Sequence, residues 1–404
     1  MNILFVHEID WLRKVVFEIH TLSELLSLRG HRVYAIDYES MWVRDGPLDF
    51  GSLKTRYVDN VSRAYTGASV SLIRPGLIKI PAVSRFSAWF TQCSAIRRAI
   101  EEKDIDVIIL YSVPTSGMQT LHYARKFGVP VVFRSIDILN RLVPFPLLSG
   151  ITRYLEKRVY AGADLILTIS HRLSDYVVGM GAPEENVRLL PLGVDTELFR
   201  PGVDSAGLRR QWNLGDGPVI VFIGTLYDFS GLDVVITRMP GLIKKFPGIR
   251  LLIVGDGPQR PGLERTAVES GVAGHVIITG FQPYETMPQY INLASVCINP
   301  FLVTGTTRDI FPTKIVQYMA CGMPVIATRL PGLEATITGE KQGMIYAGPE
   351  DTAAAIAEVI ADDRRRLQLG QAALEYVKQT HSYEAVVEQL EAELCGVVER
   401  LKTR

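Results

Sequence analysis

NPFLVTGTTRDIFPTKIVQYMACGMPVIAT, residues 299–328, carries the pattern on which the fold turns. The short apolar run SVCI at 295–298, followed by Asn299 and Pro300, reads as a strand ended by a breaker. A loop rich in Thr and Gly comes next. Pro312 suits the first turn of a helix, where its missing N–H costs little. Residues 313–319 then put Ile315, Val316 and Met319 on one face. Cys321 and Gly322 end that helix, and Pro324 leads into Val325, Ile326 and Ala327, apolar throughout as buried parallel strands are. Strand, loop, helix, turn and strand make a βαβ unit. A loop that opens a helix beside a strand end is a common place to hold an anionic ligand.

Working outward, 404 residues are enough for two domains. With 47% hydrophobic and 21% charged residues, the composition is that of an ordinary globular chain. Its net charge of zero gives no bulk attraction to nucleic acid, so no nucleic-acid partner is expected. Cys93, Cys297, Cys321 and Cys395 lack metal-ligand spacing and fit free thiols in a reducing compartment. The N-terminus carries Glu8 and no long apolar core, so it does not read as a signal peptide. No run approaches the ~20 apolar residues of a membrane span. The reading is a cytoplasmic protein, one able to sit at the inner face of the cell membrane.

Strand patterns recur at 2–7, within 29–36, at 106–111, 128–133 and 163–170, and again at 219–223, 251–254 and 276–279. Between the first two, residues 11–28 have helical spacing, with Val15, Ile19, Leu22, Leu25 and Leu26 apolar. An Ala-rich helix is expected over 349–366 and a last one over 382–402. Residues 61–100 contain no Asp or Glu but hold Arg63, Arg74, Lys79, Arg85, Arg97 and Arg98, interleaved with Phe86, Trp89, Phe90 and aliphatic residues. Such a segment suits an anionic membrane surface or a lipid pyrophosphate; the plainer reading is a solvated face on a helix that covers the domain.

QYMACGMPV at 317–325 resembles the second half of the donor-sugar motif of the retaining glycosyltransferases of family 4, also called group 1, which have the GT-B fold. That motif is Glu, seven residues, Glu, then Ala-Met-Ala-x-Gly-x-Pro-Val; here the second Glu falls on Gln317 and the first on Asp309. PLGVDTELFRP at 191–201 is similar to the family's interdomain signature, with Leu192 for the usual Asn, and Gly255-Asp256-Gly257-Pro258 matches its strand-and-turn. The resemblance covers nearly the whole chain, most firmly 163–331. It implies an α/β protein of two Rossmann-like domains facing across a cleft: 1–192 for the acceptor, 193–380 for the donor, and 381–404 as a C-terminal helix crossing back to the first domain.

The resemblance further implies transfer of a sugar, with retention, from a nucleotide-diphosphate donor to a hydroxyl of a lipid-linked or glycan acceptor. No cofactor is implied beyond the donor substrate. No Asp-x-Asp motif follows a strand, which favours a metal-independent reaction. Ile136 stands where the family has a sugar-binding His, with Asp137 after it, so that Arg134, Asp137 or Arg141 could take over the contact. The family's glycine pair is missing from 8–11, and Trp11 or Asp10 could fill its space. Thr225 and Ser230 replace the Arg and Lys that hold the donor diphosphate. A leaving diphosphate needs cationic or N–H donors, and Arg308 and Lys314, which border the donor loop, are the candidates; at least one is expected beside Gly224 in the cleft. The expected catalytic residues are thus Asp137, Asp309, Arg308 and Lys314. The expected donor-binding residues are Gly224, Thr225, Ser230, Gly255, Phe281, Thr313 and Gln317, the last on the ribose. Two alternatives stand beside this: a non-catalytic GT-B partner subunit with an altered donor site, and another GT-B chemistry such as sugar-nucleotide epimerisation.

Overall fold

Parallel strands with no polar face require cover on both sides, and the chain supplies it twice. In a computed structural model of the protein, which describes residues 1–14, 16–39, 49–80, 83–143 and 145–403, it divides into two units. One is Met1–Pro191 with Val386–Arg404, the other Leu192–Ala385. The first is built on an eight-stranded sheet in the order Val187–Leu189, Leu165–Thr168, Val131–Ser135, Val107–Leu110, Asn2–Val6, Arg32–Ile36, Val70–Arg74, Arg56–Val61. All its pairings are parallel except the last. The second has six parallel strands in the order Val276–Ile278, Arg250–Val254, Val219–Ile223, Val296–Asn299, Val325–Ala327, Met344–Tyr346. Each is a doubly wound, Rossmann-like sheet, and in each the chain reverses order around a central strand, the usual place for a ligand.

In the first unit, four helices matter below: α1 (Glu18–Leu28), α2 (Val83–Glu102), α3 (Gly117–Phe127) and α4 (Pro146–Gly162). The helix expected from residue 11 begins only at Glu18. Residues 11–14 form a turn, Phe17 is extended, and Val15 lies outside the described residues. The cause is Trp11: it is wholly buried, its ring 4.7 Å from that of His20, and this contact fixes a turn where the apolar spacing alone continued the helix. Neither Trp11 nor Asp10 is left facing a ligand, since Asp10 accepts from the buried Arg74 at 2.7 Å. Residues 349–366 are not one helix either. Asp362 breaks the run, and its carboxylate accepts the Arg365 N–H to cap a second helix, giving Pro349–Ala361 and Asp363–Thr380.

The last helix, Tyr383–Lys402, brings residues 386–404 into the first unit, where Glu391 pairs with Arg29 (2.6 Å) and His31 (2.7 Å). Among the described residues, no helix is long and apolar enough to cross a membrane.

Candidate functional site

The second unit's site begins with two glycines. Strand Val219–Ile223 ends at Gly224 and its neighbour Arg250–Val254 ends at Gly255, with φ of 143° and 149°, a region closed to most side chains. A Cβ on Gly255 would fall on the carbonyl oxygen of Gly224, so the two strand ends touch backbone to backbone. After Gly255, Asp256 closes the turn on the Gly257 N–H (2.8 Å) and on Arg260 (2.9 Å).

Helix Lys314–Ala320 is held against this edge by its own face. Tyr318 accepts the Ile223 N–H at 2.7 Å, and Lys314, one turn earlier on the same side, reaches Gly224: a Cβ there would lie 2.7 Å from Nζ. The ammonium lies 4.1 Å from the centre of the Phe222 ring and 4.5 Å from that of Phe301. Among the described residues no carboxylate pairs with it. Burial alone pulls its pKa down to about 7, while the two ring faces favour the charged form. An ammonium held between two aromatic faces and against a glycine, with no carboxylate on it among the described residues, is a charge that the protein leaves uncompensated.

The other expected residues separate into groups. Arg308 is half exposed and its nearest acid is Asp309, at 3.7 Å. The loop under them is fixed by Gly332, whose N–H donates to Arg308 O (2.9 Å) and whose missing Cβ makes room for the Asp309 backbone. Thr313 is the exposed residue before the helix, and Pro312 lies just outside it, giving its carbonyl to the Ile315 N–H (3.0 Å). The helix is only two turns long, so its end offers less positive charge than the sequence suggested. Gln317 donates from Nε2 to the Tyr284 hydroxyl at 3.2 Å. Phe281 stands 74% exposed beyond strand Val276–Ile278, free to meet a flat ligand. Thr225 is half-buried in the loop after Gly224, but Ser230 is buried, which takes its hydroxyl away from an arriving phosphate.

In the first unit, Asp137 is exposed just past strand Val131–Ser135, and surrounding protein raises its carboxyl pKa. Arg134 does not fill in for the missing His. It is buried, pairs with Glu18 (2.7 Å), and donates to the carbonyls of Leu190 (2.6 Å) and Pro191 (3.3 Å). Ser170, at the end of the strand pattern 163–170, is the cap of helix His171–Gly179, accepting the Leu173 N–H (3.3 Å). The basic run 61–100 is also not one face. Arg74 is buried on Asp37 and Asp10, Lys79 is buried on Asp49 (2.6 Å), and Arg63 donates to the carbonyls of Trp11 and Lys14. Arg85, Arg97 and Arg98 remain outside.

Sequence reasoning missed Phe222, Phe301 and Tyr284. The first two read as core apolar residues at strand ends, and only their packing shows that they flank an ammonium. Tyr284 lies in a loop with no pattern to mark it.

Two family models match the chain, one described as "Glycosyl transferases group 1" over residues 217–362 and one as "Glycosyl transferase 4-like domain" over 18–193. The GDP-mannose-dependent alpha-(1-6)-phosphatidylinositol monomannoside mannosyltransferase of Mycolicibacterium smegmatis is 31% identical over 286 residues, 69% of this chain and 74% of that protein. The D-inositol 3-phosphate glycosyltransferase of Acidothermus cellulolyticus is 31% identical over 278 residues, 64% of this chain and 60% of that protein. Sucrose-phosphate synthase from Thermosynechococcus elongatus superposes with a TM-score of 0.69 at 21% identity, covering 99% of both chains. Anabaena HepE in complex with UDP gives 0.68 at 16% identity, covering 98% of this chain and 100% of that one. The fold is thus GT-B, and with both family models and the mycobacterial relative in agreement, the chain belongs to the group 1 glycosyltransferases.

Proposed function

We propose that this glycosyltransferase moves a sugar from a nucleotide-diphosphate donor to a hydroxyl of a lipid-linked or glycan acceptor, with retention and with Lys314 supplying the positive charge on the diphosphate. The observation that carries this is the Lys314 ammonium, set between Phe222 and Phe301 against Gly224 with no carboxylate on it among the described residues. The bond to the anomeric carbon breaks toward the diphosphate, whose negative charge grows as it leaves. An ammonium held at that point stabilises the growing charge more than it stabilises the bound donor. The Thr225 hydroxyl and backbone N–H add hydrogen-bond donors, since the Gly224 N–H is already given to the Val254 carbonyl; Gln317 takes the ribose hydroxyls, and the exposed Phe281 offers a face for the base. Asp309 and Arg308 border the same loop and attend the sugar end.

Relatives named for GDP-mannose and inositol-containing acceptors make GDP-mannose the first donor to test; UDP in a structural neighbour makes UDP-sugars the second. The test is a thermal-shift panel of GDP, UDP, ADP and their sugars, followed by transfer assays with the hit and NMR of the product's anomeric centre. Stabilisation by one nucleotide and a product with the donor's configuration are expected. No shift with any nucleotide and no product would leave a partner subunit, and an inverted product would overturn retention.

A further inference from the structure

The most unusual surface lies at one end of two helices in the first unit. Phe86, Trp89 and Phe90 on α2 and Leu147, Ile151 and Tyr154 on α4 are all exposed, Phe86 by 67% and Leu147 by 77%. Soluble surfaces rarely gather large apolar side chains this way without a use for them. The two groups stand at the same end of the sheet. α3 packs between the helices, and its first turn is level with Trp89, whose carbonyl accepts from Gln119 (3.1 Å), and with Val159, whose Cγ2 would lie 2.9 Å from a Cβ on Gly117. Because α3 follows strand Val107–Leu110, that turn marks the strands' carboxyl edge. Leu147 precedes Val159 by three turns, so α4 extends roughly 18 Å beyond it at 1.5 Å per residue.

Charge completes the pattern. Arg85, Arg153, Lys157 and Arg158 are exposed around these residues, Arg85 with the Glu8 carboxylate 3.7 Å away. The one acid of α4, Glu156, is buried and accepts from the Leu139 N–H (3.0 Å), and the acids of α2, Glu101 and Glu102, are at its far end. An apolar, aromatic-bearing stripe edged by bases, with no exposed acid of either helix beside it, is the make-up of a helix that lies in a bilayer interface.

We propose that the N-terminal half of α2 and residues 146–158 of α4 form a docking face for an anionic bilayer, the apolar side chains entering the headgroup boundary and the four bases meeting lipid phosphates. The basic run that suggested a membrane in the sequence contributes only Arg85; α4, outside that run, supplies the rest. The proposal extends the lipid-acceptor reading but does not need it, since docking can be measured without turnover.

The full chain is floated with vesicles of phosphatidylcholine alone and of an equimolar phosphatidylcholine–phosphatidylglycerol mixture. Binding to the mixture only, weakening as salt rises, is expected, with at least a tenfold loss in Leu147→Glu/Ile151→Glu and in Arg153→Glu/Lys157→Glu. These positions are exposed, so circular dichroism and the nucleotide-induced thermal shift stay as in the unaltered protein. Failure to bind the mixture, or equal binding to both vesicles, overturns the proposal. A concentration-dependent dimer abolished by Leu147→Glu/Ile151→Glu also overturns it, because the face would then belong to a second copy. Loss of transfer to a lipid acceptor with intact flotation would count against the acceptor reading instead.

Discussion

At the scale of single residues, Lys314 and Arg308 separate. Both were equal candidates for the diphosphate when only their places in the chain were known. Arg308 is half exposed beside Asp309, a surface pair of the kind worth ~0–1 kcal/mol, so Arg308→Ala is expected to change nucleotide affinity by less than about threefold. Lys314 sits in a site that favours its neutral form in the absence of a ligand, so Lys314→Met should raise the melting temperature of the free protein while removing the nucleotide-induced shift. A Lys314 that merely packed would give the first effect without the second.

Gln317 poses a finer question. A carboxylate offers two acceptors to a ribose, an amide only one, and the Gln317 amide works only if its oxygen faces the sugar. Its Nε2 donates to the Tyr284 hydroxyl, which fixes that orientation. Tyr284→Phe should therefore weaken nucleotide binding several-fold in the native background and leave it nearly unchanged in a Gln317→Glu background. Equal losses in both, read by calorimetry in a double-mutant cycle, would make Tyr284 a packing residue only.

At the scale of elements, the two strand ends make opposite demands on their glycines. At Gly255 a Cβ meets a backbone carbonyl that has nowhere to go, whereas at Gly224 it meets the far end of a lysine. Gly255→Ala is expected to cost about 3 kcal/mol or more in denaturant unfolding, and Gly224→Ala about 1–3 kcal/mol of backbone strain. The nucleotide shift should be lost in Gly224→Ala even though the protein folds. The strands themselves were legible because period and composition report burial directly. The false start of α1 at residue 11 and the break at Asp362 were not. Apolar spacing continues through both, and only a buried ring in one case and a capping carboxylate in the other ends the helix.

At the scale of the molecule, Arg134 ties α1, strand Val131–Ser135 and the chain leaving the first unit at Leu190 and Pro191 into one buried network. Burial raises the pKa of its partner Glu18 despite the guanidinium beside it. Arg134→Met would leave that acid unpaired and is expected to cost about 3–5 kcal/mol, largely recovered when Glu18 is also replaced by Met. A loss that the second change does not recover would assign the cost to the backbone carbonyls instead. The family and the GT-B fold could be read from residues 191–201 and 317–325. Of the site, Lys314 and Gly224 could be named from their places in the chain, but the choice of Lys314 over Arg308 could not, because it rests on two rings from strand ends far apart in sequence.

If the Lys314 ammonium holds the diphosphate, nucleotide binding is linked to a proton. With its pKa near 7 when free, Lys314 is largely neutral at pH 8 and is recharged by an arriving anion. Binding then takes up a proton, and affinity falls by up to about tenfold per pH unit as pH rises above 7. Titration of GDP and UDP by calorimetry at pH 6.5–9, in buffers of different ionisation enthalpy, reads both quantities. Uptake of up to about one proton near pH 8, a falling affinity, and at least tenfold weaker, pH-independent binding in Lys314→Met are expected. Nucleotide affinity that is flat across this range and unchanged in Lys314→Met would contradict that role of Lys314.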